Sequence, residues 1–557
     1  MSFSKAELPV LGAGLGYRAA LHDQILAAAD RIDWLEVISD QFMPLDGRRT
    51  ARLSALTGVF PCIPHSLELS VGSADGPPDG YAAGVAEVAR AAGAPWFSDH
   101  LAFNRLPRVT LGAFMPPFRD RPTAARIADR VRALQAAAGA VMLLENVASL
   151  LDPGGDLDEP AFLNLIAAQA DCGILLDLAN LHSRCLCTGW DTRAFLRRLD
   201  LDRVVQVHLA GGRWQDGYLI DTHDQPVGEH VWDLLADVCR RTELKGVLLE
   251  RDARFPADLE PLLGELSRAR AILESPGRVR PGGTGPGLGG PARPAERLAA
   301  SSQPDLERRL GEHVAGTGPA PAGDRLRAFL DDAAASRMGF IAGAYPATLA
   351  VAGSAAGSRQ AAGRAFFRQR PRLRALEDEL GVRAAEAEQF RRYAADLAGE
   401  LGAPELAALA DLESELFLAG QAADRAPAAP GRPGCGCNHA DRDAAGLVLC
   451  PQAELVRREP TRLVTLPFDA VRVRDELLAE AAPSLSSLRA LAAAHAGALC
   501  LAIGVSPAGK RSVFRLGPAE LAVLACPSRY RGELSGPRAR LLRLALSNHL
   551  LSVRHGG

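Results

Sequence analysis

The chain has no excess of positive charge: 63 Lys and Arg stand against 66 Asp and Glu, a net charge of −3. Nucleic-acid binding depends on a basic stripe that neutralises phosphates, so that class has no electrostatic support. Aromatic residues are scarce, at 5% of the chain, which also argues against base-stacking surfaces. No apolar run approaches the ~20 residues of a membrane span, and the opening MSFSKAELPV has no apolar signal-peptide core. The expected compartment is therefore the cytoplasm, with no membrane and no nucleic acid among the partners. The ten cysteines (62, 172, 185, 187, 239, 435, 437, 450, 500 and 526) include no C-x-x-C pair. A closed thiolate zinc site is thus not expected, and in a reducing compartment these residues stay thiols. No internal repeat is visible.

What is present begins with length. At 557 residues the chain exceeds a single core, and 48% hydrophobic content supports two or three globular domains. Residues 1–275 carry one rhythm. The stretch from 276 opens as PGRVRPGGTGPGLGGPARP, which is too rich in Gly and Pro to pack, and reads as a linker to about 324. Residues 325–424 are rich in Ala, Leu, Arg and Glu with helical periodicity, as in RAAEAEQFRRYAADLAGEL. A second break, RAPAAPGRPGCGCNHAD, opens a linker over 425–449. Residues 450–557 mix strand-like runs (LVTLPFDAV, ALCLAIGV) with helices and read as a small α+β domain.

The rhythm of the first part is a series of short apolar runs: 10–18, Trp34–Asp40, Phe60–His65, Trp96–His100, Val141–Asn146, Gly173–Asn180, Val204–His208 and Gly246–Asp252. Each is separated from the next by enough chain for a helix. Eight alternating strand–helix units predict a closed, parallel (β/α)8 barrel, with its active site at the C-terminal strand ends. His65, His100, Glu145, Asp177, Asn180, His208 and Glu250 would converge there. One such residue is often only a structural histidine or a helix cap. Seven at successive strand ends are costly to bury without a cation, and their nitrogen and carboxylate donors suit Fe, Mn or Zn.

Alternation along LLDLANLH places Asp177 and Ala179 on one side, with Asn180 and His182 where strand gives way to loop. Asp221 and His223, in LIDTHDQPVGEHVW, are expected in a loop, two residues apart and able to reach one ion. Glu68 and Asp99 are candidates to orient imidazoles. Arg18 and Asp40, at the first two strand ends, are candidates for substrate contact. The glycines of GAGLGYR lack the rest of a dinucleotide fingerprint and fit close packing better. Cys185, Cys187 and the CGCNH stretch (Cys435, Cys437, His439) are weaker candidates for soft ligands, with plain loops the commoner explanation.

The segments GLGYR, PHSLELSVGS, SDHLAF, LLENVAS, LLDLANLH, VHLAGG, DTHDQPV and LLERD resemble those of the multinuclear non-haem iron-dependent oxidases, over the first 255 or so residues. The resemblance implies a (β/α)8 barrel holding two or three mixed-valent Fe(II)/Fe(III) ions with O2 as co-substrate. It also implies oxidation of cysteine, or another residue, in a ribosomally synthesised precursor peptide. Carried over by motif, the iron ligands are His65, His100, Glu145, Asp177, Asn180, His208, Asp221, His223 and Glu250. The chain departs from the family pattern at Asp40–Gln41, at His182–Cys185 and at FMPPF (114–118), all bordering the mouth. The C-terminal part resembles the family's separate partner protein through AYP (344–346) and ADLESELFLAGQAAD (410–424). That implies a leader-binding module fused in cis. The alternatives are a xylose-isomerase-like sugar isomerase or hydrolase using another divalent metal, and a non-catalytic metal- or peptide-binding scaffold.

Overall fold

Every one of the eight apolar runs becomes a barrel strand in the computed structural model. They are β1 Gly12–Gly16, β2 Trp34–Ile38, β3 Cys62–Ser66, β4 Trp96–His100, β5 Val141–Glu145, β6 Gly173–Asp177, β7 Val204–Leu209 and β8 Gly246–Leu249. The structure describes residues 3–77, 79–106, 110–215, 218–274, 296–315, 325–330, 341–358, 361–362, 365–366, 382–425, 446–448, 453–457, 462–480, 482–505, 511–516, 524, 533–535 and 551–555. The strands pair in parallel and in chain order, and β8 closes the ring against β1, with Gly12–Leu15 beside Gly246–Leu249. Most strand residues are buried, which is why these strands read as continuous apolar runs and not as alternating ones.

Helices fill the connections: α1 His22–Ala27, α2 Gly47–Thr57, α3 Asp79–Ala92, α4 Arg121–Ala138, α5 Glu159–Ala170, α6 Leu178–Thr188, α7 Thr192–Arg198, α8 Glu229–Arg241 and α9 Glu260–Glu274. Their starts follow local chemistry. Asp120 and Asp158 cap α4 and α5 by accepting the N–H of Thr123 and Ala161, and each helix carries a proline in its first turn. Ile127 and Val131 of α4 and Leu163 and Ile166 of α5 join Leu35, Val37 and Leu144 of the strands in one core.

The barrel floor is a second cluster of Trp34, Ile63, Trp96, Leu143, Leu175, Val205 and Leu248. A Cβ on Gly14 would lie 2.4 Å from the Trp34 ring, and one on Gly246 would lie 3.0 Å from it. Gly14 of GAGLG and Gly246 therefore make room for an indole.

Two expectations need correction. Residues 276–295 and 316–324 lie outside the described residues, but the rest of the expected first linker is ordered structure. Glu296–Arg297 pairs in parallel with Leu151–Asp152, and α10, Gln303–Ala315, buries Leu306 and Leu310. Two leucines one turn apart are enough to seat an otherwise polar helix.

The chain forms two compact units, Met1–Leu45 with Arg49–Ala333, and Asp46–Arg48 with Ala334–Gly557. Within the second unit, α11 Pro346–Ala355, α12 Val382–Glu400 and α13 Pro404–Arg425 precede α14 Ala470–Ala479 and α15 Leu485–Ala494. An antiparallel sheet of Arg462–Phe468, Ala496–Val505 and Arg511–Leu516 accompanies them. The helical and α+β parts were expected to be separate. Val351, Leu409 and Leu412 instead share a core with Leu466, Val473, Leu488 and Leu501. Residues 426–445, which include Cys435, Cys437 and His439, lie outside the described residues. Among the described residues, no helix is long and apolar enough to cross a membrane.

Candidate metal centre

The strands deliver their last residues to one place. His65, His100, Glu145, Asp177 and His208 come from β3 to β7, and Glu250 follows β8 directly. Asp221 and His223 arrive on the second strand of a hairpin, Gly211–Gln215 with Tyr218–Gln225, which follows β7. They are therefore strand residues two apart, not loop residues as expected, and His223 takes a left-handed φ of 48°.

Glu145 Oε2 lies 3.5 Å from His65 Nε2 and 3.6 Å from His100 Nε2, and its Oε1 lies 3.6 Å from His208 Nδ1. His208 Nδ1 is 3.3 Å from Glu250 Oε2 and 4.0 Å from Asp177 Oδ2, and Glu250 Oε2 is 3.3 Å from His223 Nδ1. These spacings are too long for hydrogen bonds, which end near ~3.2 Å. Two donors about 2.1 Å from a shared ion sit about 3.0–3.4 Å apart at right-angled to tetrahedral geometry. Most of the spacings fall at or just beyond that range.

Among the described residues four groups of donors fit a metal ion: His65, His100 and Glu145; Glu145, Asp177 and His208; Asp177, His223 and Glu250; and Glu36, His208 and Glu250. Glu145, Asp177, His208 and Glu250 each belong to two groups, so neighbouring ions would share ligands. Glu145 Oε2, Asp177 Oδ2, Asn180 Oδ1 and His208 Nδ1 are all buried without a hydrogen-bond partner, and His223 Nε2 lies 2.7 Å from Asp221 Oδ1. Orphaned donors and acceptors at this density are expensive unless a cation satisfies them.

Electrostatics agree. Burial, then the Asp221 and Glu145 carboxylates, push the Asp177 pKa well up, so its charged form is disfavoured without a cation beside it. Burial opposes charge on His100, but Glu145 and Asp99 outweigh it and raise its pKa to about 9. Burial likewise opposes the Glu145 charge, and His100 and His208 override it to bring its pKa to about 2.

The imidazoles are oriented from behind. His65 Nδ1 meets Ser98 Oγ at 2.8 Å. His208 Nε2 faces Glu36 Oε2 at 3.0 Å, Gln206 Nε2 donates to the same oxygen at 2.7 Å, and Trp96 Nε1 donates to Gln206 Oε1 at 2.7 Å. This chain fixes the Gln206 amide, whose nitrogen also lies 2.8 Å from His208 Nε2, so protein holds that side of the ring and Nδ1 faces Glu145 and Glu250. Asp252 Oδ2 lies 3.1 Å from His223 Nδ1, the same nitrogen that faces Glu250, and Arg18 Nε donates to Asp252 Oδ1 at 2.8 Å. Glu36 and Asp252 escaped the sequence analysis. Glu36 sits mid-strand in WLEVI, where only apolar residues were expected; its charge there was the available signal. Glu36→Gln keeps the volume and loses the anion. It is expected to weaken metal affinity about tenfold or more, as read by metal titration against elemental analysis.

Other expected positions fall elsewhere. Asp177 ends β6 and also caps α6, accepting the Asn180 N–H at 2.6 Å, so Asn180 and His182 are helical and not on a strand-to-loop boundary. Asn180 Nδ2 donates to Asn146 O at 3.2 Å, which leaves Oδ1 free. His182 joins none of the four groups; its ring stacks on His230 at 3.7 Å. Burial, then His230, lowers its pKa to about 3, so the ring is neutral. Asp40 also stands outside the groups. It accepts the Tyr81 hydroxyl at 2.5 Å and the Leu67 N–H at 3.2 Å, and burial with Glu68 raises its pKa to about 7. Glu68 pairs with Arg105 at 3.0 Å and not with a histidine. Asp99 lies 3.7 Å from His100 Nδ1 and accepts the Ser66 hydroxyl and the Leu69 N–H. Cys185 is buried on α6 outside the groups, and the Cys187 side chain is outside the described residues.

A UPF0276 protein of Streptomyces avermitilis is 35% identical over 278 residues, which cover 48% of this chain and 56% of the relative's own length. Relatives in Anaeromyxobacter sp. and Chromobacterium violaceum are 34% and 33% identical, and the match covers 93% and 94% of them. A D-psicose 3-epimerase structure from Clostridium cellulolyticum H10 aligns at 12% identity and a TM-score of 0.33, over 47% of this chain and 98% of that one. That likeness carries no functional weight. Residues 12–274 match the profile of the RiPP precursor modification enzymes MbnB/TglH/ChrH, and through its barrel the chain belongs to that family.

Proposed function

We propose that the chain is a multinuclear non-haem iron oxidase that uses O2 to modify cysteine, or another residue, of a ribosomally synthesised peptide, with the second unit binding that peptide's leader. The observation that carries the proposal is the sharing of Glu145 and Asp177 between neighbouring donor groups. Shared carboxylates and an imidazole-rich set without thiolate suit two or three redox-active ions better than one. Bound iron would supply the electron transfer and oxygen activation that no side chain here can perform.

The residues' own tasks follow from the geometry. His65, His100 and Glu145 would hold one ion; Asp177 and His208, with Glu145, a second; His223 and Glu250, with Asp177, a third. Asn180 Oδ1 would supply a further oxygen donor, and Asp221 Oδ1 pairs with His223 Nε2 at 2.7 Å. Phe114 stacks on the His100 ring at 3.8 Å and screens that side from water. Arg18 holds Asp252 at the rim, and its guanidinium also lies 3.7 Å from Glu250. Asp40, protonated below about pH 7, can exchange a proton near the mouth.

The test is elemental analysis of protein purified without added metal, with Mössbauer and EPR spectra and oxygen uptake on a Cys-containing precursor peptide. Two or three irons per chain, a coupled mixed-valent signal and peptide-dependent oxygen uptake are expected. Zinc, magnesium or manganese alone, with no oxygen uptake after anaerobic iron loading, would sink the proposal and favour an isomerase-like barrel.

A further inference from the structure

Residues 296–315, with Leu326 and Phe329, cross three loops at the barrel mouth. Glu296–Arg297 pairs with Leu151–Asp152 beyond β5, and the Leu298 N–H donates to Asp152 O at 3.1 Å. On α10, Gln303 and Glu307 are 1% and 4% exposed. Gln303 Oε1 accepts the Phe118 N–H at 2.7 Å, and its Nε2 donates to Glu307 Oε1 at 2.8 Å. Glu307 Oε1 also accepts the Ala74 N–H, at 2.5 Å, from the loop beyond β3. Buried polar side chains that satisfy backbone groups of other loops fix those loops in place.

The apolar contacts point the same way. Leu298, Leu306, Leu310, Leu326 and Phe329 share a cluster with Phe103, Leu111, Met115 and Phe118. Phe103–Arg105 and Thr110–Met115 form the hairpin that leaves β4 just after His100. Alternation along its second strand divides the side chains. Leu111, Ala113 and Met115 meet the cluster built on α10, and Phe114 turns the other way onto His100, at 3.8 Å and an interplanar angle of 20°.

We infer that this segment is a strap whose packing sets the hairpin, and through Phe114 sets the His100 ring for metal binding. Phe114, Leu306 and Leu310 are thus positioning residues. The inference rests on the metal-centre proposal for its chemistry but not for its mechanics.

The experiment uses the full-length chain with Leu306→Ala/Leu310→Ala, Phe114→Ala and the conservative Leu306→Met. Hydrogen exchange over residues 103–118 reads the strap itself, and iron per chain with the Mössbauer spectrum reads its effect. The double variant is expected to speed exchange at least tenfold over 103–118 while the rest of the barrel stays protected. It and Phe114→Ala should lose one iron site with the same spectral change, and Leu306→Met should restore both readouts. Unchanged exchange in the double variant overturns the strap; faster exchange with unaltered iron and spectra overturns the positioning role. If the wild type holds no metal, the functional proposal fails, and the exchange result still decides the strap.

Discussion

Glu145→Ala is expected to leave less than a tenth of the wild-type iron per chain and no measurable turnover. Glu145 is 1% exposed and faces three imidazoles at 3.5 to 3.6 Å. Its two oxygens serve two donor groups, so one substitution takes a carboxylate from both and leaves the His65 and His100 group with no anion. The first group would keep two imidazoles and the second one imidazole with Asp177, too few donors and too little negative charge to hold either ion in a buried site. The metal-free protein should nonetheless fold. It does so with less stability, because removing one partner of a buried charge pair costs ~3–5 kcal/mol, and His100 and His208 lose the carboxylate that favours their charge. Elemental analysis and a denaturation curve on the same sample separate loss of metal from loss of fold. Full iron content in the variant would remove Glu145 from the ligand set.

Gly14→Val is expected to destabilise the barrel by about 3 kcal/mol or more, the upper range for overpacking a core. The new Cβ would stand 2.4 Å from Trp34 Cδ2 and Cε2 and 2.7 Å from Nε1. Trp34 is fully buried against Ile63, Trp96 and Leu248, and its Nε1 donates to Gly12 O at 3.2 Å, so the ring has nowhere to go. Such a loss is a large part of the ~5–15 kcal/mol that holds a domain together. Trp34→Leu in the same chain should recover part of it, because the clash is pairwise. Urea denaturation of the two single variants and the double variant provides the test; additive effects would show that the clash is not the cause.

How much of this was legible depends on burial. Strands such as Gly173–Asp177 are covered on both faces, so their sequence is an unbroken apolar run, and a His, Asp or Glu at its end stands out. The same contrast concealed Glu36, a charge placed mid-strand among Trp34, Leu35 and Val37. Asp177 misled in another way. It ends a strand and caps a helix at once, and two-residue alternation carried past it misplaces Asn180 and His182. Asp252 was invisible because its partners, Arg18 and His223, are 234 and 29 residues away. The strap was missed because α10 shows only two leucines on its buried face, and what they pack against lies far away in sequence.

Closure of the ring has a consequence for how the protein is made. β1 pairs with β8, and no donor group comes from one short stretch of chain: the most local, Glu145 to His208, spans the strands β5 to β7. At ribosomal speeds of ~5–20 residues per second, β1 waits on the order of tens of seconds for its last partner to emerge. No native site exists during that interval, so a nascent chain cannot select its metal. Selection falls to the finished barrel, which takes what its surroundings supply under the general order of divalent affinities. The metal supplied to cells while the protein accumulates would then set what is found in it, independently of what the enzyme needs.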